Sequence, residues 1–206
     1  MSDPSYPCYN NIVLGNIMFF LDRKEMCEYK KGRVHIMSKI AVIVTNDVED
    51  VEFTSPVDAL KAAGHDVTVI ENEAGSKIVG KHGLELTADK GIADVSVADF
   101  DALLIPGGFS PDQLRVDERF VDFVKGFLLS NKNVFAICHG PQLFIQSGLA
   151  SALKLTAFTS VRPDLYYAGA QVLDEPVVVD EKHKLITSRT PDDLDDFNRE
   201  ITAALA

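Results

Sequence analysis

Residues 134–149 carry the side chains best suited to covalent chemistry. Four apolar residues lead into Cys138, and a Gly-Pro pair then precedes an amphipathic run ending at Gly148. This pattern predicts a buried strand, a sharp turn and a helix. The spacing Ala136-x-Cys138-x-Gly140 matches the G-x-S-x-G nucleophile elbow, with a thiol as nucleophile and Ala replacing the first Gly. We therefore interpret Cys138, at a helix N-terminus that favours thiolate, as a candidate nucleophile. The alternative is a small buried core residue.

Two other predicted strand ends carry groups that could serve such a nucleophile. The turn after the strand at 39–44 holds four carboxylates, namely Asp47, Glu49, Asp50 and Glu52. They would repel a phosphate, so flavin or dinucleotide binding is disfavoured. Most are interpreted as solvated, but one that faces the crevice could act as an acid or base. Gly107 and Gly108 follow the strand at 101–105, where they would suit either an oxyanion hole or a tight turn.

The elements that must position these groups alternate between strand and helix. A helix is predicted from Ser55-Pro56 to Gly64, and the hairpin at 76–88 has His82 in its turn. The segment through Arg162 is predicted to be a polar turn, and His183, between two lysines, to be exposed. The remaining predicted elements are strands at 66–71, 154–160, 171–173, 177–180 and 184–187, and helices at 116–131 and 191–206.

Composition narrows the class of protein. The 206 residues are 46% hydrophobic and 25% charged, as in one soluble globular domain. The net charge of −11 argues against nucleic acid or an anionic membrane as the main partner. Three cysteines without a C-x-x-C pair argue against a disulfide framework or structural zinc, and favour a reducing, cytoplasmic location.

Residues 1–37 differ from the rest of the chain. The apolar run 11–21 is too short to span a bilayer, and basic residues follow it rather than precede it as in a signal peptide. The codons for Lys30-Lys31-Gly32 would resemble a ribosome-binding site. We predict that Met37 is the true start, that the preceding segment is a disordered or mis-annotated extension, and that 38–206 form one domain. The alternative is a short regulatory or anchoring arm.

Several motifs follow one another along the chain. They are Asn46-x-x-Glu49-Asp50-x-Glu52, Gly80-Lys-His-Gly83, Pro106-Gly-Gly-x-Ser-Pro-Asp112, Ala136-Ile-Cys138-His139-Gly140-Pro141-Gln142 and Thr187-Ser-Arg189-x-Pro191-Asp-Asp-Leu194. Together they resemble the DJ-1/PfpI superfamily, in its PfpI-like intracellular peptidase or general-stress-protein branch. The resemblance covers about residues 39–206 and implies a flavodoxin-like three-layer α/β/α sandwich with a mainly parallel sheet, assembled as a dimer or higher homo-oligomer.

The resemblance also implies roles for individual residues. Cys138 would be the nucleophile, and Glu49 the carboxyl group hydrogen-bonded to it. A protonated, buried Glu49 would lower the pKa of the thiol. His139 and an acid from a neighbouring subunit would complete a peptidase triad; this acid falls on Asp112, where the archetype has the longer Glu. Gly108 and His139 N–H groups would hold an oxyanion.

The expected function is a cofactor-independent, metal-free cysteine enzyme acting on small aldehydes or dicarbonyls. It would be of the glyoxalase III or deglycase type, converting methylglyoxal to lactate, with glycated proteins as further substrates. A PfpI-type cysteine peptidase is the alternative enzyme. A glutamine amidotransferase is disfavoured, since the late segment 188–193 lacks the His-Pro-Glu that it needs. From another class, a redox-sensing stress protein or holdase chaperone would use the same cysteine.

Overall fold

The computed structural model describes residues 10–14, 17–21 and 37–206. The chain divides into two compact units, Met1–Ile36 and Met37–Ala206. In the first unit, strands β1 (Asn10–Leu14) and β2 (Ile17–Leu21) pair antiparallel. The remainder of residues 1–36 lies outside the described residues, so the proposed start at Met37 and the disordered extension stay predictions.

The second unit alternates strands with helices. Its strands are β3 (Lys39–Ile43), β4 (Asp66–Glu71), β5 (Lys77–Val79), β6 (Glu85–Thr87), β7 (Lys90–Gly91), β8 (Ala102–Ile105), β9 (Asn133–Ile137), β10 (Lys154–Leu155), β11 (Gln171–Val172), β12 (Val177–Asp180) and β13 (Leu185–Ser188). Its α-helices are α1 (Asp50–Ala62), α2 (Ser110–Leu114), α3 (Glu118–Leu129), α4 (Gln142–Gln146), α5 (Arg162–Tyr167) and α6 (Leu194–Ala203). No helix within the described ranges has both the length and the apolar character that crossing a bilayer requires.

Seven strands form the central sheet, in the order β12-β13-β9-β8-β3-β4-β7. All neighbours are parallel except β12 and β13, which form an antiparallel edge pair. The register places Ile105 of β8 beside Ala136 of β9, and Ser188 of β13 beside Ile137. The carboxyl ends of β3, β8, β9 and β13 therefore meet at one edge, where open α/β sheets bind their ligands.

The sheet is buried on both faces, which confirms the predicted flavodoxin-like α/β sandwich. Ile40 and Val42 of β3 pack with α1 and α6, through residues such as Leu60 and Phe197. Ala41 and Ile43, which alternate with them, belong to the opposite core, which α3, α4 and α5 cover. Strands buried on both faces account for the continuous apolar runs in the sequence. The β5–β6 hairpin is also confirmed.

Helix α1 begins at Asp50, so the prediction that it starts at Ser55-Pro56 was wrong. Pro56 lies inside the helix, where its missing N–H deprives the Glu52 carbonyl of an i+4 hydrogen bond. Packing of buried Phe53, Val57 and Leu60 compensates for this loss. Of the four carboxylates in the acidic turn, Asp50 and Glu52 therefore lie in the first turn of α1, whereas Asp47 and Glu49 precede it.

Two smaller predictions also differ from the structure. The segment from Arg162 to Tyr167 is helix α5 rather than a polar turn, with Pro163 near its start, where a missing N–H costs nothing. His183 is only 18% exposed and is bonded through Nδ1 to Asp180 Oδ2 at 2.8 Å. The prediction that His183 is exposed, which rested on its two lysine neighbours, was therefore wrong.

Candidate active site

Cys138 lies at a strained turn between β9 and α4, as the elbow pattern predicts. Its φ is +60°, a left-handed conformation that costs a non-glycine residue roughly 1–2 kcal/mol. A Cβ on Gly140 would lie 2.5 Å from the carbonyl oxygen of Ile105. Small residues thus allow β8 and the elbow to approach closely, and the turn presents the thiol at the carboxyl edge of the sheet.

Glu52 is the carboxyl group that lies against the Cys138 thiol and interacts with it through hydrogen bonding and charge. It is fully buried in the first turn of α1, and its Oε2 accepts the Gly107 N–H at 3.0 Å. A Cβ on Gly107 would lie 2.4 Å from Glu52 Oε2 and 2.7 Å from Cys138 Cβ. Only glycine leaves room here for the carboxyl group and the thiol to meet.

Glu49 does not occupy the place that the family resemblance implied for it. Its Oε2 pairs with Lys81 Nζ and its Oε1 with His82 Nε2, each at 3.1 Å. It is the N-cap residue of α1, and its extended backbone (φ −69°, ψ 113°) does not hold its side chain on the helix face that carries Glu52. The correction follows from the early start of α1, and Glu52 replaces Glu49 as the partner of the thiol.

Burial and mutual interaction tie the protonation of Glu52 to that of Cys138. Burial, aided by the charge of Glu49, raises the pKa of Glu52 to about 7, although the hydrogen bond with Cys138, the Gly107 N–H and the charge of Lys81 oppose the shift. Burial and a charged Glu52 raise the pKa of the Cys138 thiol, whereas the Gly108 and His139 N–H groups lower it. When Glu52 holds the proton, its opposing charge disappears and it becomes a donor, so the pair titrates as one coupled unit.

His139 reaches the thiol, although the two residues are adjacent in sequence. Its Nδ1 lies 3.2 Å from Cys138 Sγ. The ring stacks on Phe158 with centroids 5.0 Å apart and planes inclined by 26°, and the Phe158 N–H donates to the Cys138 carbonyl at 2.9 Å. Burial lowers the pKa of His139, against the charge of Asp112. The neutral imidazole is therefore favoured at pH 7.

Asp112 acts on His139 through its charge within one chain. Its carboxylate accepts the Gln142 amide at 3.2 Å, and Arg115 holds the same amide through Oε1 at 2.8 Å. Asp112 is thus fixed on α2, beside the start of α4. Its contribution to a neighbouring subunit's triad, and the oligomer that this requires, stay predictions.

Gly107 and Gly108 play different parts. The Gly107 N–H is engaged by Glu52, so the expectation that it would serve as an oxyanion donor is corrected. The Gly108 N–H instead interacts with the Cys138 thiol. Gly108 has φ +74°, and a Cβ there would lie 2.3 Å from the Glu49 nitrogen. This close approach joins the loop after β8 to the turn after β3, where Val48 and Gly108 form a bridge.

These groups line one cavity of about 490 Å³, formed by Asp47, Glu49, Glu52, Lys81, Gly108, Phe109, Cys138, His139, Phe158 and Pro191. It brings together four of the predicted site residues, Cys138, His139, Gly108 and Glu49. Sequence reasoning gave no role to Lys81 or Phe158, and only the Gly80–Gly83 motif pointed towards the former. Across the described residues, no group of three or more His, Cys, Asp or Glu side chains could hold a metal ion.

Comparisons with known proteins agree with this architecture. The model of the DJ-1/PfpI family matches residues 38–204. The chain is 56% identical over 168 residues to "General stress protein 18" of Bacillus subtilis, covering 81% of this chain and 97% of that protein. It is 54% identical over 162 residues to "Putative cysteine protease YraA" of the same organism, covering 79% and 95%.

A third relative and a solved structure extend these findings. "Protein/nucleic acid deglycase 2" of Escherichia coli is 55% identical over 163 residues, covering 79% of this chain and 94% of that protein. The crystal structure of Drosophila melanogaster DJ-1beta matches with a TM-score of 0.76 at 28% identity, covering 83% of this chain and 91% of that one.

Proposed function

Because the chain belongs to the DJ-1/PfpI family, we propose that it is a cofactor-independent cysteine enzyme acting on reactive dicarbonyls and their adducts with amines and thiols. The observation that supports this most is the fully buried Glu52 against Cys138. Glu52 Oε1 has no conventional hydrogen-bond partner among the described residues, so this oxygen is left to exchange a proton with thiol or substrate. A carboxyl group that titrates near 7 can both give and take that proton.

The first step is addition of the Cys138 thiolate to the aldehyde carbon of a dicarbonyl such as methylglyoxal. A C–S bond forms, and the carbonyl π electrons move to oxygen. The Gly108 and His139 N–H groups, which already interact with the thiol, are the donors nearest to that oxyanion. Glu52 then gives it a proton, which leaves a hemithioacetal and a carboxylate. With an amine or thiol adduct, the Cys138 thiolate would form its C–S bond at the same carbon as the bond to the amine or thiol breaks, and the leaving amine or thiol would take the proton from Glu52.

The second step moves hydrogen between the two substrate carbons. The Glu52 carboxylate takes the proton from the former aldehyde carbon to give an enediolate and returns it to the neighbouring carbon, while the hydroxyl proton on the former aldehyde carbon passes to the neighbouring oxygen, which leaves a thioester. One carbon is oxidised and the other reduced, so no external redox partner is needed. Water then hydrolyses the resulting thioester to lactate and releases the thiol. Neutral His139, 3.2 Å from the sulfur, is the base for that water.

The test is hydroxy-acid formation from methylglyoxal by the purified wild type, Cys138→Ala, Glu52→Gln and Glu49→Gln. We expect the first two variants to lose at least about 10³-fold in kcat/KM, because nucleophile and proton carrier are each essential. Glu49→Gln is a matched control three residues from Glu52, and its kcat/KM should stay within about tenfold of the wild-type value.

Two results would contradict the proposal. One is no turnover by the wild type while mass spectrometry shows Cys138 reduced. The other is an active Glu52→Gln beside an inactive Glu49→Gln, which would return the carboxyl role to Glu49. Client holding that survives in Cys138→Ala, with no wild-type turnover, would favour the holdase alternative.

A PfpI-type cysteine peptidase is the second candidate, and the 3.2 Å approach of His139 Nδ1 to Cys138 Sγ favours it. His139 would act as the base, with Asp112 behind it if a neighbouring subunit supplies that acid. Hydrolysis of a fluorogenic peptide library separates the two activities. A peptidase should lose hydrolysis in His139→Ala and Asp112→Asn but keep most of it in Glu52→Gln.

A further inference from the structure

The tip of the β5–β6 hairpin is fixed to the start of α1 by backbone hydrogen bonds. The Asp50 carboxylate accepts the N–H groups of His82 and Leu84 at 3.1 and 2.8 Å. The Lys81 N–H donates to the Val48 carbonyl at 2.9 Å. A Cβ on Gly80 would lie 2.2 Å from Asp50 Oδ1. The position of the tip is therefore determined without the side chains of Lys81 and His82.

Those two side chains converge on Glu49. Each of its carboxylate oxygens takes one partner at 3.1 Å, Lys81 Nζ on Oε2 and His82 Nε2 on Oε1. Glu49 is 15% exposed, whereas Lys81 and His82 are 56% and 60% exposed. The cluster therefore lies at the mouth of the cavity, with Glu49 on its inner side.

Lys81 is the one Lys or Arg among the residues lining the described cavity. The titratable side chains that line this cavity together with Cys138 are Asp47 and Glu49 from the β3–α1 turn, Glu52 from α1, Lys81 from the hairpin and His139 from the elbow. The hydrogen bond with Glu49, and then the charges of Glu49, Cys138 and Glu52, raise the pKa of Lys81. Its ammonium group thus stays charged and interacts electrostatically with both Cys138 and Glu52.

We propose that Lys81 is an electrostatic positioning residue for the thiol, holding Glu49 in an ion pair and supplying the positive charge that favours the Cys138 thiolate. Two effects act in the same direction. The ammonium stabilises a negative charge on sulfur, and it also offsets the negative field of Glu49 at the site. Its role as a support for turnover rests on the proposed function, but its effect on the thiol does not.

The test measures alkylation of Cys138 by iodoacetamide against pH, followed by peptide mass spectrometry. Lys81→Met should slow alkylation at pH 7 by about three- to tenfold and move the pH profile to higher pH. Glu49→Gln should speed it by a similar factor, and Lys81→Met/Glu49→Gln should return close to the wild-type rate. Lys81→Arg should retain the rate, and Lys77→Met is the matched control, since Lys77 bonds Thr87 in the same hairpin.

A purely structural role for Lys81 would not produce this pattern. An unchanged rate and pH profile in Lys81→Met, or a double variant as slow as Lys81→Met alone, would overturn the inference. Because alkylation needs no substrate turnover, its outcome is independent of the methylglyoxal assay. If Lys81→Met slows alkylation as expected but the wild type does not turn over methylglyoxal, the inference about Lys81 is supported and only the proposed reaction is refuted.

Discussion

Glu52 and Asp180 are both buried carboxyl groups, but they lie at opposite edges of the sheet and in opposite chemical states. Glu52 accepts one backbone N–H and has one oxygen without a conventional partner among the described residues, and burial raises its pKa to about 7. Asp180 Oδ2 accepts the Lys154 N–H at 2.9 Å and pairs with His183 Nδ1 at 2.8 Å. Burial raises the pKa of Asp180, but these hydrogen bonds outweigh it and lower the pKa below the usual value.

The contrast shows that burial alone does not decide what a carboxyl group does. A carboxylate with enough donors is stable as an anion and joins elements of structure, here the start of β10 and the turn after β12. A carboxyl group with too few donors keeps its proton to higher pH and can transfer it. At the carboxyl edge of the sheet, Glu52 is a carboxyl group that can transfer its proton, and it lies beside the strained Cys138. At the amino edge, Asp180 is the stable anion.

The largest expected effect comes from changing each carboxyl group to its amide. Glu52→Gln should lower kcat/KM by at least about 10³-fold while changing the free energy of unfolding at pH 5, where Glu52 is protonated, by only about 1 kcal/mol. Asp180→Asn should do the reverse, costing about 2–3 kcal/mol because a buried amide replaces a hydrogen-bonded anion. Its kcat/KM should stay within about twofold of wild type. Urea unfolding measures the free energy of unfolding, and methylglyoxal turnover measures kcat/KM. A large loss of turnover in Asp180→Asn would contradict the assignment of a purely structural role to Asp180.

Glu52 and Asp180 should also contribute to the pH dependence of stability in opposite directions. The native pKa of Glu52, about 7, lies above its ordinary 4.5, so the native state binds the proton more tightly than the unfolded chain. Its contribution is fully present below pH 4.5 and is lost as pH rises through 7, by about 3 kcal/mol in all. The lowered pKa of Asp180 acts in the opposite sense, stabilising the fold above the usual carboxyl pKa and failing in acid.

Unfolding free energies of wild type and Glu52→Gln at pH 5 and pH 8 check this sign. The wild type should lose stability relative to the variant between the two pH values. A constant difference would mean that Glu52 titrates normally in the folded protein.

The smallest expected effect is at His183. His183→Gln removes the contact of Nδ1 with Asp180 Oδ2 but leaves the Lys154 N–H in place, so we expect a cost of about 1 kcal/mol. Turnover should not change, since this pair is remote from the carboxyl edge. A cost equal to that of Asp180→Asn would show that His183 supplies most of the stabilisation of the anion.

Sequence patterns predicted the sheet and the elbow because both depend on local features. Apolar runs identify strands buried on both faces, and small residues around Cys138 identify a close turn. These patterns also placed His139 and Gly108 near the thiol, together with the two loops that carry the remaining groups.

The choice between Glu49 and Glu52 depended on where α1 begins, and the sequence indicated the wrong start. Pro56 suggested a helix start, whereas packing of the buried face carries the helix through it from Asp50. His183 was misjudged for a similar reason, since its partner Asp180 approaches across a turn. Local composition does not report such contacts.

The most direct test of the account is the titration of Glu52 itself. Infrared difference spectra of the carboxyl stretch, or ¹³C NMR of glutamate side chains, can follow its protonation in wild type, with Glu52→Gln identifying the signal. We expect a midpoint near pH 7 that changes when Cys138 is replaced by Ala. A midpoint near 4.5, unaffected by that replacement, would contradict the claim that Glu52 is the proton carrier for the thiol.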